Sequence, residues 1–221
     1  MTTSIVHFIP EISVLAKYTG AILVLFVMPG PDMSLCLSKT ISSGKKAAFQ
    51  ALSGILLGCS VHTLLAAFSV SAILIASDYA FLTLKILGAL YLLWLGINAV
   101  RFGSKFELDA NAETAPDFKK NFLVGLGINL ANPKVVLFFM TFLPQFVALD
   151  DPYAKGKLVF LGLYFVVISM PLMSMLILGA DRIVLTLRNN PIYLRALDYI
   201  FCGVFVSFAV GILLTENRLK S

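Results

Sequence analysis

Apolar residues in this chain gather into blocks about as long as a bilayer is thick, and two of the blocks are broken in their interior by proline beside a charge. The first break is Pro29-Gly30-Pro31-Asp32 and the second is Asn132-Pro133-Lys134. Proline has no N–H and denies the carbonyl four residues earlier its helical partner. The carbonyls concerned are those of Leu25 and Asn129. In hydrocarbon such a group is costly unless it is buried in protein or lines a wet cavity. One break in each half is the pattern expected of a midplane binding site in a transporter.

Of the 221 residues, 59% are hydrophobic and 13% charged, where a soluble domain carries about 25% charged residues. The expectation is an all-α polytopic membrane protein with six spans of about 20 residues each. They fall near 12–28 (continuing past the break toward 37), 51–75, 81–100, 122–143, 158–180 and 199–214. The longest polar interval, 101–121, divides one transporter domain, 1–221, into three-helix units at 12–100 and 122–214. The first apolar run has no basic segment before it and ends in Pro-Gly-Pro, so it reads as a retained span rather than a signal peptide.

Lys and Arg orient the bundle. Connections after the first, third and fifth spans hold Lys39, Lys45, Lys46, Arg101, Lys105, Lys119, Lys120, Arg182, Arg188 and Arg195. The opposite side holds only Lys155, Lys157, Arg218 and Lys220. The basic residues thus mark the cytoplasmic side, place both termini outside, and give no nucleic-acid patch. Three spans per half insert the halves in opposite senses, which predicts two inverted repeats with broken helices 1 and 4 in corresponding places.

Lys134 lies inside an apolar block, where a lysine costs about 2.5–3.5 kcal/mol on insertion scales and must face protein or water. It has two readings: it pairs with a freed carbonyl, or it holds a carboxylate, of a substrate or of Asp32. Asp32 either caps the half-helix that follows Pro31 or, at the midplane, binds an ammonium or carries a proton. With Pro29, Gly30, Pro31, Asn129, Asn132 and Pro133, these two residues form the expected binding region. Gly54, Gly58 and His62 recur at intervals of four, so the glycines allow close helix approach. His62 then points inward, as a packing residue or as a proton relay. Gly88 and Gly96 are further packing positions, near Lys85, which snorkels, and Tyr91. Pro171 predicts a kink, and Arg195 with Asp198 an edge ion pair. Cys36, Cys59 and Cys202 are well separated and read as buried free thiols. No metal site, cofactor, phosphate loop or catalytic triad is visible, so the class is a carrier rather than an enzyme.

In order along the chain stand Pro29-Gly30-Pro31-Asp32-Met33, Ser43-Gly44 with Lys45-Lys46, and Gly54-Ile55-Leu56-Leu57-Gly58 with His62. There follow Lys85-Ile86-Leu87-Gly88-Ala89-Leu90-Tyr91-Leu92 with Leu95-Gly96, Asn132-Pro133-Lys134 with Phe138-Phe139, and Leu143-Pro144-Gln145-Phe146. This series resembles the LysE/RhtB family of bacterial amino-acid exporters, over about residues 12 to 214. The resemblance implies an inner-membrane protein that exports amino acids by proton antiport. A single midplane acid favours small neutral substrates such as homoserine, threonine or leucine. Lys134 would take the substrate carboxylate, Asp32 the ammonium or the coupling proton, and His62 would serve as a relay. The partners are then amino acid, protons and lipid, and the small-residue stripes permit a homodimer. Two alternatives stand beside this reading: a carrier or channel for another small solute, and a transmembrane thiol-redox protein.

Overall fold

The computed structural model describes residues 5–27, 30–76, 78–102, 117–148, 151–180, 182 and 191–214, all of them helical or in short connections. Among the described residues seven α-helices follow one another: α1 (Ile12–Val27), α2 (Pro31–Ala76), α3 (Asp78–Phe102), α4 (Phe118–Ala131), α5 (Pro133–Leu137), α6 (Ala154–Leu178) and α7 (Pro191–Leu214). A short 3-10 turn (Ile5–Phe8) precedes α1, and α5 runs on through a π turn (Phe138–Phe142) into a 3-10 turn (Leu143–Phe146).

The surface is inverted relative to a soluble protein. Ile12, Phe68, Trp94, Val167, Met175 and Tyr199 are exposed, while His62, Asn121, Asn129, Asn132, Thr141 and Asp198 are buried. Large apolar side chains outside and polar ones inside suit a lipid environment, where the backbone satisfies itself within helices. Among the described residues, the Pro31–Ser69 part of α2 and the whole of α6 are long and apolar enough to cross a membrane. The pair Phe118–Ala131 and Pro133–Phe146, bent by 54°, makes a third when taken together.

At 46 residues, α2 would be about 69 Å long if straight, more than twice the hydrocarbon thickness of about 30 Å. It turns at Gly44, whose backbone (φ 83°, ψ 167°) is non-helical. Only glycine adopts that conformation without strain. The corner thus falls at the Ser43-Gly44-Lys45-Lys46 connection expected from the charges, and Lys45 and Lys46 are exposed. Lys39, assigned to the same connection, is instead 8% exposed, because the helix started at Pro31 carries on past it. Gly44→Ala is expected to cost about 1–3 kcal/mol of stability, seen as a lower melting temperature of the purified protein.

Other boundaries shift outward for a common reason: hydropathy reports the apolar part of a helix and misses its polar ends. α3 extends to Phe102, and α4 starts at Phe118 with Asp117 as its cap, accepting from the Lys119 N–H at 2.9 Å. Residues 103–116 of the connection lie outside the described residues, as do Lys105 and Arg188, and the placement of the Lys85 side chain. α7 begins at Pro191, so Asp198 lies well inside the helix at 1% exposed, away from the edge position expected of it, while Arg195 is exposed. Pro171 sits within α6, which continues through it without a break.

Packing follows the small residues. α2 makes its widest contacts with α4 and α6, and α3 with α7. A Cβ placed on Gly54 would lie 2.0 Å from the Phe122 carbonyl oxygen, and one on Gly125 would lie 2.0 Å from that of Ala51. The α2 and α4 backbones therefore touch at both glycines. Gly88 faces Thr141 of the π turn, with 2.6 Å from a Cβ there to the Thr141 Cβ, and Gly96 faces Cys202 of α7 at 3.2 Å. Behind these contacts Tyr18, Phe138, Phe139, Phe142, Phe146 and Phe165 form one aromatic cluster, with ring centroids 4.9–6.0 Å apart.

Candidate functional site

The two breaks meet. α1 ends at Val27 and α2 begins at Pro31, with Met28 and Pro29 outside the described residues. The Gly30 carbonyl accepts the Ser34 N–H at 2.9 Å, so Gly30 is the capping position and Pro31 the first helical residue. Asp32 lies in the first turn and does not cap it, because its carboxylate is turned away toward α4. There Asp32 Oδ2 accepts the Asn129 Nδ2–H at 2.8 Å.

The second break is built on Asn132. This residue closes α4 and caps α5, its Oδ1 accepting the Lys134 N–H at 3.1 Å. Its extended backbone (φ −73°, ψ 107°) is what a residue before proline favours. Pro133 then occupies the first position of α5, where its missing N–H costs nothing.

Both carbonyls that the prolines leave without a helical donor are satisfied from elsewhere. Asn129 O accepts the Asn132 N–H at 3.1 Å and lies 3.3 Å from His62 Nε2. Leu25 O accepts from Lys134 Nζ at 3.3 Å, so each break is bonded from the other half of the chain. Lys134 thereby takes up the carbonyl-pairing reading, and its ammonium also lies over Gly30, 3.0 Å from where a Cβ would stand.

Glycines make room for this cluster. Asn129 packs across Gly58, where a Cβ would fall 2.3 Å from Asn129 Oδ1. Its Nδ2 also reaches the Cys59 sulfur at 3.5 Å, and the His62 ring stacks on Phe139 at 5.8 Å. Asp32, Asn129, Asn132, Lys134 and His62 thus form one group, while Pro31 and Pro133 are exposed at its edges. Asp32 Oδ1, His62 Nδ1, Asn129 Oδ1 and Asn132 Nδ2 are buried with no hydrogen-bond partner among the described residues. Such atoms are costly to leave unmatched, so the cluster is poised to bind something polar.

Asp32 and Lys134 line a small cleft of about 60 Å³, whose walls include Ile22, Ile55, Phe165 and Met173, with Ser169 as a further polar group. An acid, a base and an apolar wall in one cleft suit a small zwitterion. Cys36, Cys59 and Cys202 are free thiols. The residues that the sequence alone did not single out are Cys59 as a contact of Asn129, and Ser169 and the aromatic cluster as walls. Their only signal was apolar periodicity, which does not say which helices meet.

A helical membrane protein with two or three apolar spans, and a buried polar cluster where two helix breaks face each other, is the class these features define. The LysE type translocator model matches residues 23–216, and the chain belongs to that family. It is 31% identical over 198 residues to a leucine efflux protein of Klebsiella pneumoniae, covering 88% of this chain and 92% of the relative. It is 29% identical over 194 residues to a homoserine/homoserine lactone efflux protein of Salmonella typhimurium, with the same two coverages of 88% and 92%. An uncharacterised membrane protein of Pseudomonas aeruginosa is 31% identical over 209 residues, covering 91% and 96%. No solved structure matches the chain significantly.

Proposed function

We propose that the protein is a secondary transporter that exports small neutral amino acids from the cytoplasm across the bacterial inner membrane in exchange for protons. The observation that carries the reading is the meeting of Asp32 and Lys134, one from each break, in a single apolar-walled cleft. In this scheme Lys134 takes the substrate carboxylate and Asp32 its ammonium group. A carboxylate held alternately by substrate and by a proton gives antiport directly, because the two compete for one acid. His62 stands one residue away from Asp32 through Asn129, as a further proton acceptor. The family and the names of two relatives support amino-acid export. The charge distribution supports six spans in two inverted halves, with both termini outside; the glycines at 54, 58, 88 and 96 are taken up by packing within the chain and give no support to a homodimer.

The test is efflux from cells loaded with dipeptides that release a panel of amino acids inside. Cells with the intact protein are expected to lose one or a few neutral amino acids faster than cells without it. Lys134→Ala should remove that excess while the protein still reaches the membrane. No enhanced loss of any amino acid, with the protein present in the membrane, would assign the cleft to another solute.

A further inference from the structure

A groove of about 590 Å³ opens where the first turns of α6 meet the N-terminal 3-10 turn. That volume is within the range of ligand sites, about 300 to 1,000 Å³. It shares no lining residue with the cleft beside Asp32. Gly156, Val159, Phe160 and Leu163 recur at helical spacing and form one wall, along a single face of α6. Phe8 and Tyr153 form the other. Gly156 lets the two walls converge, since a Cβ there would lie 2.2 Å from the Phe8 ring. The His7 and Phe8 rings both pack on Tyr153, with centroids 5.0 and 5.7 Å from it, which holds the second wall in place.

The groove is charged at one end only. Lys155 stands there, exposed, with its ammonium 3.7 Å from the centre of the Phe68 ring. Its neighbour Lys157 is paired with Asp151, whereas Lys155 has no carboxylate partner among the described residues. α6 has 25 residues, apolar enough to cross a membrane, and its length of about 37 Å exceeds the hydrocarbon thickness of about 30 Å. Its first turn therefore lies at the membrane surface, and the turns after it run into hydrocarbon. From Lys155 to Leu163 the helix rises about 12 Å, most of the roughly 15 Å of hydrocarbon in one leaflet. A cation at the surface end and an apolar wall running inward match the two parts of an anionic phospholipid. A soluble anion would leave the wall unused, and a peptide would bring unpaired backbone groups to hydrocarbon depth. We propose that this groove binds one anionic phospholipid, its phosphate on Lys155 and an acyl chain along Val159, Phe160 and Leu163.

The experiment is native mass spectrometry of the purified protein in detergent, titrated with phosphatidylglycerol or with phosphatidylcholine of the same acyl chains. The intact protein is expected to retain phosphatidylglycerol about fivefold more strongly, the worth of one basic residue near an anionic headgroup. Lys155→Gln should lower phosphatidylglycerol to the level of phosphatidylcholine while the latter stays bound, and Lys155→Arg should keep the preference. Lys119→Gln, an equal loss of charge at the exposed start of α4, should leave the preference unchanged. Equal retention of the two lipids by the intact protein, a preference that survives Lys155→Gln, a loss of both lipids alike, or an equal drop in Lys119→Gln would each overturn the site. So would displacement of phosphatidylglycerol by inorganic phosphate, which would make it a site for a free anion. A lipid-free dimer would assign the groove to a second copy of the chain instead.

Discussion

Gly125→Leu is expected to remove folded protein from the membrane rather than merely weaken transport. The Cβ it introduces would lie 2.0 Å from the Ala51 carbonyl oxygen, 2.8 Å from its carbon and 3.1 Å from the Ala51 Cα. Those are backbone atoms inside α2, so no rotamer change relieves the clash. On the reverse side of the same contact, Gly54 meets the Phe122 carbonyl oxygen and the Leu126 nitrogen. The two helices have to separate along their whole interface, and Asn129, one turn further along α4, would be drawn from Gly58, Cys59 and His62. Overpacking with side chains that are able to adjust costs about 1–3 kcal/mol, and a backbone clash exceeds that range. In a membrane, close packing is a main source of helix association, and the hydrogen bonds that Asn129 makes to α2 depend on the same close approach. Gly127→Leu is the control, because no atom lies within 4 Å of a Cβ there and the position is exposed. The check is the yield and melting temperature of both variants in detergent. Equal values for the two would show that α2 and α4 are not seated as described.

Much of this arrangement was legible in the sequence, and the remainder divides along a physical line. Proline chemistry is local, so the carbonyls of Leu25 and Asn129 were identifiable as needing partners from the positions of Pro29 and Pro133 alone. The partners are not local. Lys134 meets Leu25, and His62 meets Asn129, across separations of 109 and 67 residues. Such pairings depend on how helices cross, which apolar periodicity does not encode. Glycine spacing marked Gly54 and Gly58 as close-approach positions, but Gly125 was missed because α4 was read for its break rather than its face. Asp32 was ambiguous for a related reason. An acid after proline at a helix start fits a cap, and only the position of Asn129 in space turns the carboxylate elsewhere. The corner at Gly44 was visible as Gly beside two lysines, yet its backbone geometry was not. The π turn at Phe138–Phe142 had no sequence signal beyond Pro144.

Lys134→Gln is expected to keep the fold of the wild type and lose at least about tenfold in transport. Lys134 has two tasks that a deletion confounds: it donates to the Leu25 carbonyl at 3.3 Å, and it lines the cleft beside Asp32. Lys134→Ala removes both, leaving a backbone oxygen without its side-chain donor at a cost of about 1–3 kcal/mol. Glutamine retains an N–H donor on a somewhat shorter chain, so the carbonyl stays satisfied while the positive charge is gone. If a substrate carboxylate must meet a charge, the charge-assisted bond lost is worth roughly 1.5–3 kcal/mol, or about 10- to 150-fold. The loss should appear in the substrate concentration needed for half-maximal efflux, since it concerns binding. Melting temperature would fall for the alanine variant and hold for the glutamine one. Glutamine transporting like wild type would leave Lys134 with a structural task alone, and the ligand's carboxylate would then have to be met by the orphaned donor on Asn132.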